Sequence, residues 1–304
     1  MASQINHLFG HISSPKSVEK VLSELPMPVF SAFADEVRES GKGKVRLGYQ
    51  AVEKILGEFN TRHQGTGDCT AMGAAGVIDG TKCVQILNGL SEEFLSETAT
   101  EPIYGLGRIE IGRGQFGSGA GCTGAYVAQA VQKYGTLRRQ KYEGLDLTTY
   151  SARMADRLGM TGLPDNLEPT AKEHPIKTIS LVENYDDLID LLYNWYFVTV
   201  ASGQGFYTDQ YGRIVLDDEG FAYPRGSWPH QMHFTGFDDS YKRPGVICQN
   251  SWGDCCVGGK RYKLPKGAFF IDKAIVNRML SERDSWVYST FIGYKKQKID
   301  WGIF

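Results

Sequence analysis

Cys69 closes the turn Gly65-Thr66-Gly67-Asp68 and is followed by Thr70-Ala71-Met72 and the small apolar run Ala74, Ala75, Val77 and Ile78. The pattern predicts a buried helix beginning at or near Cys69, where unpaired backbone N–H groups and the helix dipole favour an anion. A thiolate is such an anion, so this placement is expected to lower the thiol pKa and enlarge the nucleophilic fraction. Other chemistry-bearing patterns fit less well. The Gly-rich stretch from Gln115 to Gly124 lacks a following Lys-Ser/Thr at phosphate-loop spacing and matches no dinucleotide fingerprint. His230 and His233 stand three apart in a strand-like segment, which sends them to opposite faces rather than to one metal. Cys255-Cys256 lack the two-residue gap of a zinc knuckle. No metal and no cofactor is expected.

Three segments carry the remaining signal, in chain order. They are Gly67-Asp68-Cys69, then Trp228-Pro229-His230-Gln231-Met232-His233-Phe234-Thr235-Gly236-Phe237, then Val246-Ile247-Cys248-Gln249-Asn250-Ser251-Trp252-Gly253. A fourth, Gly121-Cys122-Thr123-Gly124-Ala125-Tyr126, leads into a helical stretch that ends at Tyr134-Gly135. Together these resemble the active-site blocks of papain-family cysteine peptidases, with Asn-Ser-Trp-Gly the most specific and the Cys122 loop similar to the family's GCxGG loop. The steps from Cys69 to His230 and to Asn250 exceed the roughly 130–150 residues of papain-type enzymes, so insertions are implied.

The resemblance covers about His63 to Tyr294. It implies an α+β, two-lobed papain-like fold over 63–304, with a helical lobe (about 63–180) bearing Cys69 on its central helix. An antiparallel β-rich lobe (about 181–304) would bear His230 and Asn250. Residues 1–62 are left as a helical extension of unknown role, unlike the family's usual propeptide.

The implied activity is peptide-bond cleavage through a thioester acyl-enzyme. A thiol attacks a carbonyl well only as thiolate, so it needs a base within reach. By resemblance, Cys69 is the nucleophile and His230 the general base and acid. Asn250 orients the imidazole, and Trp252 shields that hydrogen bond from water. The oxyanion is assigned to the Cys69 backbone N–H with the side-chain amide of Gln64. Gly67, Asp68, Gly124 and Ala125 are the implied substrate-binding positions.

Several positions depart from the family pattern. Gln64 lies one residue closer to the cysteine than the family's oxyanion glutamine, and strict spacing would put His63 there. Thr70 replaces the usual aromatic residue and Ala125 the second cleft glycine. Asp68 replaces a small neutral residue, and a carboxylate there should raise the Cys69 pKa. Thr66 stands where the family has a cysteine that bonds the equivalent of Cys122.

Around these residues, elements can be read that must position them. Ser14-Pro15 is a helix start, with Val18, Val21, Leu22 and Leu25 as an apolar face stopped by Pro26. Tyr49, Val52, Ile55 and Leu56 recur at helical spacing. A helix is expected over about 125–134, stopped by Gly135, and another over 186–194. Trp195 to Val200 reads as a buried strand, followed by strand signals at His233–Thr235, Val246–Cys248, Ala268–Ile271 and Val287–Ile292. Helices before strands is an α+β order. The acidic runs Asp217-Asp218-Glu219 and Asp238-Asp239 read as loop or turn carboxylates, either of which could rim a cleft.

The 304 residues carry a net charge of −2, with 41% hydrophobic and 22% charged side chains. This is ordinary globular composition with no basic field for nucleic acid or an anionic membrane. The cluster Lys295-Lys296-Gln297-Lys298 reads as a solvated tail. No apolar run approaches the roughly 20 residues that span a bilayer, and the first nine residues do not resemble a secretory signal. Cys69, Cys83, Cys122, Cys248, Cys255 and Cys256 are therefore expected as thiols. A cytoplasmic protein is expected, with virion association as the alternative.

The expected partner is a polypeptide substrate. Two other functions stay open: a papain-like fold kept as a component of a multiprotein assembly, as in a phage, or a papain-like transglutaminase or cell-wall peptidase.

Overall fold

The computed structural model describes residues 5–36, 39–59, 61–90, 96–259, 261–297 and 299; residues 1–4 and Lys298, both within segments read above, lie outside these. Ser14 and Pro15 open α1 (Pro15–Glu24) as their order predicts, the Ser14 hydroxyl accepting the Ser17 N–H at 3.2 Å. Next come α2 (Tyr49–Leu56), α3 (Cys69–Leu87), α4 (Thr100–Leu106), α5 (Gly124–Tyr134), α6 (Ala152–Thr161) and α7 (Glu168–Lys172). Among the described residues, the strands of this part are the short β1 (Val45–Arg46) and the hairpin of β2 (Lys141–Tyr142) and β3 (Leu145–Asp146).

The rest is strand-rich: β4 (Thr178–Leu181), β5 (Val198–Phe206), β6 (Ile214–Val215), β7 (Pro224–Asp238), β8 (Gly245–Gln249), β9 (Cys256–Val257), β10 (Ala268–Asp272) and β11 (Trp286–Ser289). Helices α8 (Tyr185–Tyr193) and α9 (Lys273–Leu280) interrupt it. The main sheet is antiparallel in the order β10-β8-β7-β5-β11-β4, and β1 also pairs with β7. The expected α+β order holds. Among the described residues no helix is long and apolar enough to cross a membrane.

Two expected strands have different bounds, each for a local reason. Trp195 has φ of 67°, a left-handed conformation that turns the chain after α8, so the ladder begins at Val198 rather than Trp195. At the other end, the Ser289 hydroxyl accepts the Phe291 N–H at 3.1 Å and donates to the Gly293 carbonyl at 2.9 Å. Those bonds curl the chain out of β11, so 290–292 are not strand. The two acidic runs are held in turns and ion pairs: Asp217 with Arg243, Asp238 with Arg261.

What positions Cys69 is the seating of α3 on the sheet. The face of α3 turned to β7 and β5 carries Gly73, Gly76 and Gly80. A Cβ on Gly73 would meet the Met232 carbonyl at 3.0 Å, and one on Gly80 would meet the Phe197 ring at 2.8 Å. On Gly76 it would overlap the His233 ring. Each helical glycine costs about 0.5–1 kcal/mol relative to alanine, yet here it removes the side-chain layer that would otherwise hold helix and strand apart. His233, read as the non-metal partner of His230, is the ring packed on that glycine. Burial, with a smaller contribution from Arg62, pushes its pKa down to about 3.

This close seating makes Gly76→Val a sensitive probe. Overpacking of a filled core costs about 1–3 kcal/mol, and urea unfolding of the variant should show a loss of at least that size. Unchanged stability would mean that α3 does not lie directly on His233.

Candidate active site

Cys69 is the first residue of α3 and is 0% exposed. The backbone amides of Gln231, Gly10 and Thr70 act on its thiol, each favouring the charged form. Gln231 follows His230 in β7, so the thiol lies against the strand segment that carries the imidazole. Asn250 reaches the same place through register. His233 pairs with Gln249 and Phe234 with Cys248, so Asn250, one residue past β8, falls diagonal to His230 on the same face. His230 Nε2 and Asn250 Oδ1 are 2.9 Å apart and buried. Asn250 Oδ1 also accepts the Ser251 N–H at 2.7 Å, and its Nδ2 donates to Cys255 Sγ at 3.6 Å. The Trp252 ring covers the imidazole with 4.7 Å between centroids. His230 Nδ1 is buried with no hydrogen-bond partner.

The turn before Cys69 is fixed from two sides. Arg62 pairs with Asp79 on α3, and the Gln64 N–H donates to the Ser251 carbonyl at 2.8 Å. The Ser251 hydroxyl donates to Gln64 Oε1 at 2.5 Å, which aims the amide nitrogen the other way. Gln64 Nε2 then donates to the Leu8 and Thr66 carbonyls, each at 2.8 Å. His63 is exposed and lies beside Gly253. Of the two residues left open by spacing, Gln64 is the one whose donor is buried beside the bound segment.

That segment is the N-terminal stretch 8–12, which no sequence signal marked. The His11 N–H donates to the Pro229 carbonyl at 3.0 Å. The Cys122 N–H donates to the Gly10 carbonyl at 2.8 Å, and the Ile12 N–H to the Cys122 carbonyl at 2.9 Å, in a parallel bridge. The strand thus spans the groove between the Cys122 loop and β7. The Phe9 ring lies 6.1 Å from Trp228, 5.9 Å from Trp252 and 6.2 Å from His230, between ring centroids. Gly10 passes so close to Gly67 that a Cβ there would overlap the Gly67 carbonyl. His11 Nε2 reaches Asp284 Oδ2 at 3.0 Å, a carboxylate that also accepts the Gly124 N–H and Trp286 Nε1–H, both at 2.8 Å.

The remaining sequence-derived positions divide. Gly67 and Gly124 border the groove, whereas Ala125 is buried in the helical core. Asp68 is fully buried and its oxygens make no hydrogen bond. Phe9, Gly10, His11, Trp228 and Asp284 were not anticipated as site residues. Trp228 opens the His230 block, but an isolated Gly-His pair and a lone Asp carry no pattern that points to a groove.

The electrostatics reverse one expectation. Cys69 is not a lowered-pKa thiol here: burial pushes it up to about 12, outweighing the backbone amides, with Asp68 adding to the rise. Burial likewise pushes His230 down to about 4, against the Asn250 hydrogen bond and together with nearby His11. Both groups are therefore neutral across the range between those values. Asp68 is pushed up to about 8, first by burial; the neighbouring Tyr150 hydroxyl opposes the rise and Glu101 reinforces it. At neutral pH Asp68 is thus mostly protonated, and its repulsion of a thiolate is weak.

With this geometry in hand, the fold can be compared with solved structures. Xylellain, a cysteine protease from Xylella fastidiosa, superposes with a TM-score of 0.59 at 18% identity, covering 94% of this chain and 97% of that one. Procathepsin B S9 from Trypanosoma congolense gives 0.57 at 12% identity, covering 94% and 87%. Digestive procathepsin L2 from Tenebrio molitor larval midgut gives 0.55 at 14% identity, covering 95% and 80%. Comparison with protein-family models gives no match, and neither does comparison with curated protein sequences. The fold is papain-like.

Two outcomes follow from the buried site. In the full chain iodoacetamide should modify Cys69 slowly from pH 6 to 8, and Gly10→Ala, which cannot keep its approach to Gly67, should speed this at least tenfold. Mass mapping of the alkylated peptides reads the rate, and equal rates would show that the strand does not guard the thiol. The second concerns Asp68, whose folded pKa lies above its ordinary value. Its contribution to stability is full at acid pH and is lost as pH rises through about 8. Asp68→Asn should flatten the pH dependence of the urea midpoint between pH 5 and 9, and parallel profiles would refute the assignment.

Proposed function

We propose that the chain is a cysteine-type peptidase in which Cys69 attacks the peptide carbonyl, His230 moves the proton, and Asn250 orients the imidazole. The observation that carries this reading is the buried His230 Nε2–Asn250 Oδ1 bond at 2.9 Å with His230 Nδ1 left unpaired. An amide oxygen accepts only, so Nε2 must hold the ring proton and Nδ1 keeps its lone pair. That is the tautomer a general base needs, on a strand whose next backbone amide favours the thiolate.

Once the groove is open, water and substrate dipoles relieve the burial that now holds Cys69 and His230 neutral. Transfer of the thiol proton to Nδ1 then gives the attacking thiolate. Its sulfur bonds the carbonyl carbon, and the oxygen collects negative charge facing the Cys69 N–H and Gln64 Nε2. The Leu8 carbonyl, bound by Gln64 Nε2 at 2.8 Å, already occupies that donor. Collapse breaks the C–N bond as His230 protonates the leaving amine, and water hydrolyses the thioester. Residues 8–12 hold this site closed in the present state, so the substrate is a polypeptide that replaces them.

A second reading is supported by the sealed thiol itself: a papain-like module retained for assembly, with Cys69 inert. Turnover separates the two. In the Gly10→Ala background, hydrolysis of an unfolded protein substrate should fall about 10³-fold or more on Cys69→Ala or His230→Ala, and less on Asn250→Ala. No hydrolysis in that background, or hydrolysis indifferent to Cys69→Ala, would sink the peptidase reading.

A further inference from the structure

Cys255 and Cys256 follow the Asn250 block and have no part in the chemistry above. Their sulfurs are 3.9 Å apart. Cys255 is buried, and its sulfur is the acceptor for Asn250 Nδ2 at 3.6 Å; Cys256 is partly exposed. The backbone around them is pinned. Cys255 N–H donates to the Gly253 carbonyl at 2.9 Å, Ile214 N–H donates to the Cys255 carbonyl at 2.6 Å, and Leu216 N–H to the Val257 carbonyl at 2.8 Å. Closing the sulfurs to a bond of about 2.05 Å must therefore come from side-chain rotation and local adjustment of the peptide between them.

We propose that Cys255 and Cys256 are a redox-sensitive pair that closes to a vicinal disulfide and, in doing so, takes away the sulfur that holds Asn250 Nδ2. A hydroperoxide supplies the oxidising equivalents. The more accessible Cys256 sulfur attacks the peroxide, forming an S–O bond while the O–O bond breaks and an alcohol or water leaves. The Cys255 sulfur then attacks Cys256; the S–S bond forms, the S–O bond breaks, and the hydroxide takes the Cys255 proton and leaves as water. A dithiol reverses the change and is itself oxidised to a disulfide.

The consequence travels one residue. Asn250 Oδ1 is shared between His230 Nε2 and the Ser251 N–H, while Nδ2 has Cys255 as its acceptor. A buried amide donor that loses its acceptor carries an unsatisfied-donor penalty, and the rotation that relieves it withdraws Oδ1 from His230. The imidazole then loses the bond that fixes its tautomer. The catalytic meaning of this switch rests on the peptidase reading above; the disulfide and the imidazole response do not.

The test uses the full chain carrying Cys69→Ser, so that the candidate nucleophile consumes no oxidant and no turnover is needed. After limited hydrogen peroxide, peptide mapping should find Cys255–Cys256 joined, with the mass lower by two hydrogens and restored by dithiothreitol. The His230 ring resonances in ¹⁵N-labelled protein should shift on oxidation, their tautomer signature mixed, and return on reduction. Adding Cys256→Ser should abolish both changes while leaving the reduced-state spectrum as before. The proposal is overturned if Cys255 pairs with Cys248 instead, if no disulfide forms before Cys256 is over-oxidised, or if the disulfide forms and the His230 signals stay put. Absence of peptidase turnover in the Gly10→Ala chain that keeps Cys69 would refute the preceding reading and leave this result standing.

Discussion

The close seating of α3 on β7 is the constraint on which the rest of the site depends. Helix and sheet meet through glycines and a histidine ring, with no layer of large side chains between them. The N-terminus of the helix is thereby brought down to the backbone beside His230. The same contact lets the Gln231 side chain donate to the Thr70 carbonyl at 2.8 Å, and the Gln231 backbone amide favours the Cys69 thiolate. Were the helix lifted by the width of one methyl layer, thiol and imidazole would sit on separate elements with nothing linking them.

Within that frame two opposing influences act on Cys69. The helix N-terminus and three backbone amides favour the thiolate, while complete burial favours the thiol, and burial dominates. The helix-terminus effect amounts to about 0.3–1 kcal/mol, rising to about 2 kcal/mol in favourable sites. Desolvation of a buried charge is larger. Accessibility therefore decides the state of the pair. A groove closed to water thus sets the protonation state of the thiol and the imidazole without any change in the side chains themselves.

The N-terminal strand is held by backbone hydrogen bonds to Cys122 and Pro229, by Phe9 among aromatic rings, and by the His11–Asp284 contact. Each is made by a residue whose type alone suggests nothing: a phenylalanine, a glycine, a histidine far from any other candidate. Helix α1, by contrast, packs into the same core as α3 and α5 through Val18 and Val21. The strand is thus docked by backbone hydrogen bonds, an ion contact and aromatic packing together, and the helix that follows it by apolar burial.

Local chemistry was legible along the chain wherever neighbours in sequence decide it. The Ser14 cap, the Gly135 stop after α5, the helix opening at Cys69 and the Asn-Ser-Trp-Gly turn are all set by residues within a few positions, and so is the α+β order. Helices α4, α6, α7 and α9 went unread because each has ten residues or fewer, too short for helical spacing to stand out in the sequence, and contacts with distant elements place them. What tertiary structure alone decided depends on contacts between remote residues. Register placed Asn250 diagonal to His230, the Ser251 hydroxyl turned Gln64 rather than His63 toward the groove, and the strand at 8–12 buried the thiol and reversed its expected pKa. Residue type sets what a group can do, but desolvation and distance set whether it does, and both exist only once the chain has closed on itself.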